Sequence, residues 1–398
     1  MATSTLTKRL RQLAAKNGTP KGTDLALFNA FLSAAAPQIR TAFRARNSEE
    51  SVFKALSTFF HLAQRNKTSD PVVVVEATES GTLIKSHMPD QAFIVDTVLL
   101  TLQALGISYQ TGFNLVLGMG RDEGGLLTQV DDPANPLESL IYVVADATED
   151  TAALQTAIEQ RLRLAQAVVS GFEPITNKVT ETAHTLMRAN DKTETDVEVA
   201  AFLRWLLADN FVFMGLIHGK THLGIAKKAV AKLNNLKALK AWSGGDHQVS
   251  IRKGPTESKV HRAGRMDEIC VRLSDGTEIK LQGLFTYRAV TQPSRHVPIL
   301  RQTLTQILDN QDCKPSSYQY KGISNVFDSL PTEFLFTTQP NEIAEMIDRV
   351  LEAEQERKAR AHILQATEDG SAFVLAAMPR GRWSDEVRAE IENTLIDA

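Results

Sequence analysis

Residues that announce chemistry are scarce in this chain of 398 residues, and each scarcity excludes something. There are two cysteines, Cys270 and Cys313, and neither stands in a metal-type spacing. Two lone thiols suit a reducing compartment, so a cytoplasmic location is expected. A net charge of −3 provides no basic surface for nucleic acid or for a membrane. No apolar run reaches the roughly 18 residues that a bilayer span needs. The stretches at 72–75 and 93–105 are too short or too interrupted. The first residues, Met1 to Thr23, carry Lys8, Arg9, Arg11, Lys16 and Lys21. With no apolar core or cleavage pattern beside them, they read as a solvated first helix in preference to a transit peptide.

What is present is ordinary for a soluble globular protein: 43% hydrophobic and 23% charged residues, in a length that suits two to four domains. The N-terminal part reads as helical. Leu25, Leu27, Phe28, Phe31 and Leu32 make one apolar face, and Asn47-Ser48-Glu49-Glu50 resembles a capping box ahead of Phe53, Leu56, Phe59 and Phe60. Val72 to Val75 and Thr82 to Ser86 predict a hairpin turned at Glu79-Ser80-Gly81. The spacing of Ile94, Val98, Leu102 and Leu105 predicts a helix over 92–105, closed by Gly106. Strands are expected over 107–117 and 140–145, with a Gly- and Pro-bearing loop between them. A helix from Thr151 carries Leu154, Ile158, Leu162 and Ala165, and a separate helical linker is expected over 177–190. The order strand, helix, strand, strand, helix is most of a ferredoxin-like βαββαβ unit, an antiparallel sheet with helices on one face.

Further on, a helix over 197–208 feeds a strand at 211–215, and the Lys- and Leu-rich stretch 227–240 reads as helix. Four strand candidates follow, at 248–252, 259–262, 266–273 and 278–287, with turns at Gly254-Pro255, Gly264 and Asp275-Gly276. In the third, Ile269, Val271 and Leu273 alternate with Glu268, Cys270 and Arg272, the pattern of a half-buried strand. Asp275-Gly276 is a hairpin signal. Helices are expected after Pro298, over 322–330 and around Ile343 to Leu351. Then come a strand at 362–366, a turn at Glu368-Asp369-Gly370, a strand at 373–377 and a helix at 384–395. The expected divisions are a helical segment 1–70, a first α+β domain 71–172, a linker and second α+β start 173–245, an antiparallel β domain with its helix 246–315, and an incomplete closing unit 316–398.

Few residues point to a site. Gly118-Met119-Gly120-Arg121-Asp122-Glu123-Gly124-Gly125 superficially matches a dinucleotide loop, but Glu123 replaces the third glycine and no helix follows; a hairpin loop is the reading. His218 and His222 lie among glycines and have no third ligand nearby, so a metal site is not expected. Arg262, Arg265, Arg295 and His296 offer guanidinium groups for a carboxylate, and read first as surface charge. The better candidate is the joint where a strand passes through Asp90, Gln91, Ala92 and Phe93 into a helix with Asp96 in its first turn. Amides at a helix start face an anion, and Asp90 or Asp96 would meet an ammonium group.

Several segments taken together resemble the N-terminal region of the large bacterial NAD-dependent glutamate dehydrogenases. These are 90–97 (DQAFIVDT), 138–141 (ESLI), 199–215 (VAAFLRWLLADNFVFMG), 260–262 (VHR), 284–286 (LFT) and 297–301 (VPILR). The order and gaps fit from about residue 70 onward, and the tryptophan-to-glycine block at 205–215 is the most specific piece. Where the family pattern has proline, this chain has Ala92. The resemblance implies tandem ACT-type domains around a PAS-like β domain, with a regulatory and assembly-forming role. It places the dehydrogenase core outside these residues, so that no cofactor is expected here and NAD would enter only through a separate catalytic part. An amino-acid effector is the implied ligand, at Asp90, Gln91, Ala92, Phe93 and Asp96. The implied partners are further copies of the chain or the catalytic part. Two alternatives are a purely structural interaction scaffold and the N-terminal part of a split or truncated dehydrogenase.

Overall fold

The structure, a computed structural model, describes residues 5–20, 23–64, 69–230, 232–233, 237–243, 248–365 and 372–397. The chain divides into two compact units. The first holds residues 1–170, with 227–235 and 257–264; the second holds the remainder.

In the first unit, helices α1 (Thr5–Asn17), α2 (Leu25–Ala35), α3 (Thr41–Arg46) and α4 (Glu49–Ala63) precede β1 (Val72–Thr78) and β2 (Gly81–Pro89). Then come α5 (Ile94–Ala104), β3 (Tyr109–Arg121), β4 (Leu127–Val130), β5 (Leu137–Ala145) and the start of α6 (Thr151–Arg188). The strands form one antiparallel sheet in the order β1-β2-β5-β3-β4. β2, α5 and β3 make a split β-α-β with β5 between the two strands. The expected unit differs at its edge: β1, the hairpin partner of β2, holds the place outside β2 that a strand after α6 would take.

A second difference concerns the faces. Helices were expected on one face, and both are covered. Ile94, Val98 and Leu102 of α5 and Leu154, Ile158 and Leu162 of α6 pack on Val73, Val75, Ile84, Met88, Ile141 and Val143. On the opposite face the N-terminal helices bring Leu10, Phe28, Phe31, Phe59 and Phe60 onto Phe113, Leu115, Leu117, Met119 and Leu140. The cause is legible in the continuous apolar run at 140–145, which leaves neither face of β5 polar. Gln38 secures this layer by pairing its amide with both the N–H and the C=O of Val116, at 2.8 and 2.9 Å.

Of the glycines of the supposed loop, Gly118 and Gly120 belong to β3, while Gly124 and Gly125 lie in the hairpin turn to β4. A Cβ on Gly118 would stand 2.3 Å from the Asp132 carbonyl oxygen, so glycine is required by a close backbone approach and not by a phosphate. The helix from Thr151 also outruns expectation. It continues through Pro174 to Arg188 with no separate linker. An interior proline costs about 3 kcal/mol. Val168, Ile175, Val179 and Ala183 are buried along the same helix, and burying such side chains at about 1.5–3 kcal/mol for each large one exceeds that cost.

The second unit contains α7 (Glu194–Trp205), β6 (Phe211–His218), β7 (Thr221–Gly224), α8 (Lys237–Ala241), β8 (Val249–Glu257), β9 (Arg265–Arg272) and β10 (Glu278–Phe285). Then follow α9 (Tyr287–Val290), α10 (Leu300–Asn310), α11 (Tyr318–Ser329), α12 (Thr332–Thr337), α13 (Pro340–Glu356), a hairpin of β11 (Arg360–Gln365) and β12 (Ala372–Ala377), and α14 (Asp385–Asp397). The turn expected at 368–370 lies outside the described residues. The sheet order is β7-β6-β10-β9-β8. Strands that the sequence reading assigned to 173–245 and to 246–315 therefore pair in one sheet.

Three local expectations are corrected here. The helix over 227–240 is confined, among the described residues, to α8. Gly254-Pro255 makes no turn, because β8 runs through it. Pro255 is tolerated on this edge strand, where its missing N–H costs no ladder bond, and a Cβ on Gly254 would strike the Glu268 carboxylate at 2.5 Å. Residues 259–262 are a loop and not a strand. Also, β9 is buried on both faces instead of one, with Asp267 and Glu268 only 2% and 1% exposed.

The tryptophan-to-glycine block owes its sequence to a closed polar network at the α7–β6 turn. Trp205 Nε1 donates to Gln292 Oε1 at 3.1 Å, Gln292 Nε2 to Asn210 Oδ1 at 2.7 Å, and Asn210 Nδ2 to the Trp205 carbonyl at 2.8 Å. Asp209 takes the left-handed conformation that the turn requires. The rings of Phe202, Phe211, Phe285 and Phe336 pack around Trp205 and one another. A second family segment meets the same helix. Glu198 accepts hydrogen bonds from the Ile299 N–H at 2.9 Å and from Arg301 at 2.8 and 2.7 Å, which holds Ile299 at a φ of 74°. Among the described residues no helix is long and apolar enough to cross a membrane.

Candidate functional site

β2 ends at Pro89, and four residues carry the chain to the first turn of α5. The Asp90 N–H donates to the Leu137 carbonyl at 2.9 Å, which aligns the loop with the end of β5. Phe93 closes it in the left-handed conformation, φ 72° and ψ 8°, and caps the helix with no side-chain hydrogen bond. Such a conformation is unusual for a bulky residue. The first intrahelical bond runs from the Thr97 N–H to the Phe93 carbonyl at 3.1 Å. The N–H groups of the first turn therefore lack both an intrahelical and a side-chain acceptor, which is the arrangement that receives an anion.

All five residues named from the sequence lie along this joint. Asp96, in the first turn, is exposed over 57% of its side chain. Asp90 is exposed as a residue, yet loss of surrounding water pushes its carboxyl above the ordinary aspartate range, against an opposing hydrogen bond from the Gln91 backbone. Ala92 is exposed and contributes only backbone.

Three participants were not named as site residues. His261, from the loop 257–264 in the same unit, sets its ring 5.0 Å from that of Phe93 and its Nδ1 3.8 Å from Asp96 Oδ2. Its own φ is 70°, so two residues in the left-handed region meet ring to ring. Ser86 and Thr97 are fully buried, and their hydroxyl oxygens have no hydrogen-bond partner. Strand alternation puts Ser86 on the face of Ile84 and Met88, the face that α5 covers. Gln91 Nε2 and His261 Nδ1 are likewise buried and make no hydrogen bond. Buried polar atoms in native folds are nearly always paired, and these four belong to β2, the joint, the start of α5 and the 257–264 loop. Ser86 and Thr97 carried a faint signal, as hydroxyls inside apolar patterns. His261 stood only in the 260–262 segment of the family resemblance, with nothing to link it to this joint.

On the other face of β2 lies a different cluster, paired except at His87 Nδ1. Arg121 Nε and Nη2 clamp the Glu138 carboxylate at 2.7 and 2.6 Å, and fully buried His87 bonds Glu138 through Nε2. Arg121 also donates to the Ala63 carbonyl at the end of α4, at 2.9 Å. This network is structural: it ties the helical layer to the sheet. The remaining sequence candidates do not assemble. His218 and His222 stand on the two strands of a hairpin, paired with Thr221 and Ile217 respectively. Arg295 donates to its neighbour His296, and Arg265 to the Gly254 carbonyl. No group of three or more His, Cys, Asp or Glu among the described residues is placed to hold a metal.

The split β-α-β sheet makes the first unit an antiparallel α+β domain. Residues 37–162 match the family model for the glutamate dehydrogenase ACT1 domain, and residues 297–357 match that for glutamate dehydrogenase helical motif 1. The NAD-specific glutamate dehydrogenase of Halomonas elongata is 25% identical over 394 residues, covering 87% of this chain and 24% of that protein. Its counterpart in Pseudomonas aeruginosa is 24% identical over 351 residues, covering 79% and 22%. That of Mycobacterium tuberculosis is 21% identical over 332 residues, covering 76% and 20%. By these matches the chain is similar to the N-terminal region of the large NAD-specific glutamate dehydrogenases. It spans about a quarter or less of the length of these relatives.

Proposed function

We propose that this chain is a regulatory and assembly module of an NAD-specific glutamate dehydrogenase, and that it senses an amino acid at the β2–α5 joint. The observation that carries the reading is the set of buried polar atoms without a hydrogen bond on Ser86, Gln91, Thr97 and His261 around the uncapped start of α5. A free amino acid matches it: its carboxylate meets the first-turn amides and its ammonium meets Asp96. The match to an ACT1 domain supports the same role. The strand order of the second sheet supports a PAS-like neighbour, and the β11–β12 hairpin with α14 supports a further ACT-type piece. Catalysis and NAD belong to a dehydrogenase part, which the module regulates by favouring one packing over another. Its other partners are copies of itself.

Thermal unfolding of the purified chain against the twenty amino acids tests this. One of them is expected to raise the midpoint in a saturable way, since a ligand that binds only the folded state stabilises it. Asp96→Asn is expected to abolish that shift while leaving the unliganded midpoint in place. No shift with any amino acid would leave the scaffold reading standing. Glutamate-dependent NADH formation by the chain alone would overturn the non-catalytic role.

A further inference from the structure

The second unit has its own cavity, of about 460 Å³, where α8 meets the edge of β8 and the start of β9. That size lies within the range of small-molecule sites. Its walls are Ala238, Ala241, Trp242 and Pro255 on the apolar side and Arg252, Lys253 and Arg265 on the other. No acidic residue is among the described residues that line it.

Each cation is held from behind. Arg252 lies over the Trp242 ring, 4.4 Å from its centre, with Nε bonded to Glu268 Oε2 at 2.8 Å and Nη2 to the Ala238 carbonyl at 3.3 Å. Lys253 Nζ bridges Asp267 and Glu333 at 2.7 and 2.8 Å. Arg265 Nε donates to the Gly254 carbonyl at 3.0 Å. The balancing carboxylates of Asp267 and Glu268 are buried within the sheet, while the cations stand at the cavity wall. The lining thus carries cations, apolar groups and Ser243, while the third balancing carboxylate, that of Glu333, is 41% exposed. Groups fixed in this way lose little freedom when a ligand arrives. The Trp242 ring, Pro255 and two alanines give the ligand body a flat apolar bed.

We propose that this cavity binds a small organic oxyanion, a carboxylate or a phosphate carried on a flat or apolar body. The site is separate from the β2–α5 joint and does not depend on it.

Tryptophan fluorescence of the full chain reads it, because Trp242 is one of three tryptophans. AMP serves as the phosphate probe and benzoate as the carboxylate probe. At least one is expected to quench emission saturably below about 10 mM, the weak end of useful affinity. Trp242→Phe should remove the quench while calorimetric binding heat persists. Ala241→Glu and Pro255→Glu set a carboxylate at the cavity from two exposed positions, and each is expected to weaken binding at least tenfold. Raising salt should weaken it as well, since the attraction is partly screened. Which probe binds identifies the oxyanion. Absence of saturable binding by both, or binding unaltered in both glutamate variants, overturns the proposal.

Discussion

Glu138 shows how one buried carboxylate is kept charged. Burial works against its ionisation, but hydrogen bonds from Arg121 and His87, and their charges, overcome that penalty and hold its carboxyl down at about 2, against an ordinary value of 4.5. A pKa lower in the folded than in the unfolded state stabilises the fold wherever the group is ionised in both, above about 4.5. The contribution declines as pH falls from there toward about 2. At about 1.36 kcal/mol per unit, the shift corresponds to roughly 3 kcal/mol at neutral pH. Glu138→Gln is therefore expected to lose about 2–4 kcal/mol at pH 7, because it also leaves Arg121 buried without its counter-charge. Urea denaturation at pH 7 and pH 3 checks this: the gap between mutant and parent should narrow at the lower pH. A gap independent of pH would show that packing, and not charge, is the role of this side chain.

At the scale of elements, features set by neighbours in sequence were legible and those set by distant contacts were not. The Asp275-Gly276 turn declares itself because its chemistry is local: Gly276 takes a φ of 79° and the Asp275 carboxylate accepts from the Thr277 N–H at 2.9 Å. The β1–β2 hairpin and the start of α5 were equally readable. Gly254-Pro255 has the same punctuation but no turn, since the glycine there answers to Glu268 on the next strand. Local pattern placed the five named residues between the end of β2 and the first turn of α5, but no periodicity could bring His261 to them. Gly171 makes the same point within α6. A Cβ there would meet the Gly224 backbone at 2.5 and 2.7 Å, and a Cβ on Gly224, which has a φ of +60°, would stand 2.0 Å from the Met214 carbonyl oxygen. Backbone cannot yield as a flexible side chain can. Gly171→Ala is expected to cost about 1–3 kcal/mol in chemical denaturation, in spite of alanine's better helix propensity. A neutral or stabilising outcome would mean that α6 moves aside freely.

At the scale of the whole first unit, the helical layer is a part of the domain and not an appendage. From sequence, residues 1–70 read as a helical segment with apolar faces. Their partner is the second face of the sheet, whose Phe113, Leu115, Leu117, Met119 and Leu140 are all at most 4% exposed. Phe43 and Phe59 meet Phe113 edge to face at 4.8 and 5.8 Å, and Arg121 fastens the end of α4 from the same sheet face. Removal of the layer would uncover a contiguous apolar surface, which folded monomers rarely present. It would also leave Arg121 and Glu138 beside solvent with fewer fixed partners. A chain starting at residue 69 is accordingly expected to bind a hydrophobic dye strongly and to elute as aggregate, while α5, whose contacts lie on the opposite face, retains its helical signal. Were that chain monomeric, cooperative in unfolding and indifferent to the dye, the layer would be a detachable cover. The sheet face would then be a candidate surface for contact between ACT-type domains, as it cannot be while α1–α4 occupy it.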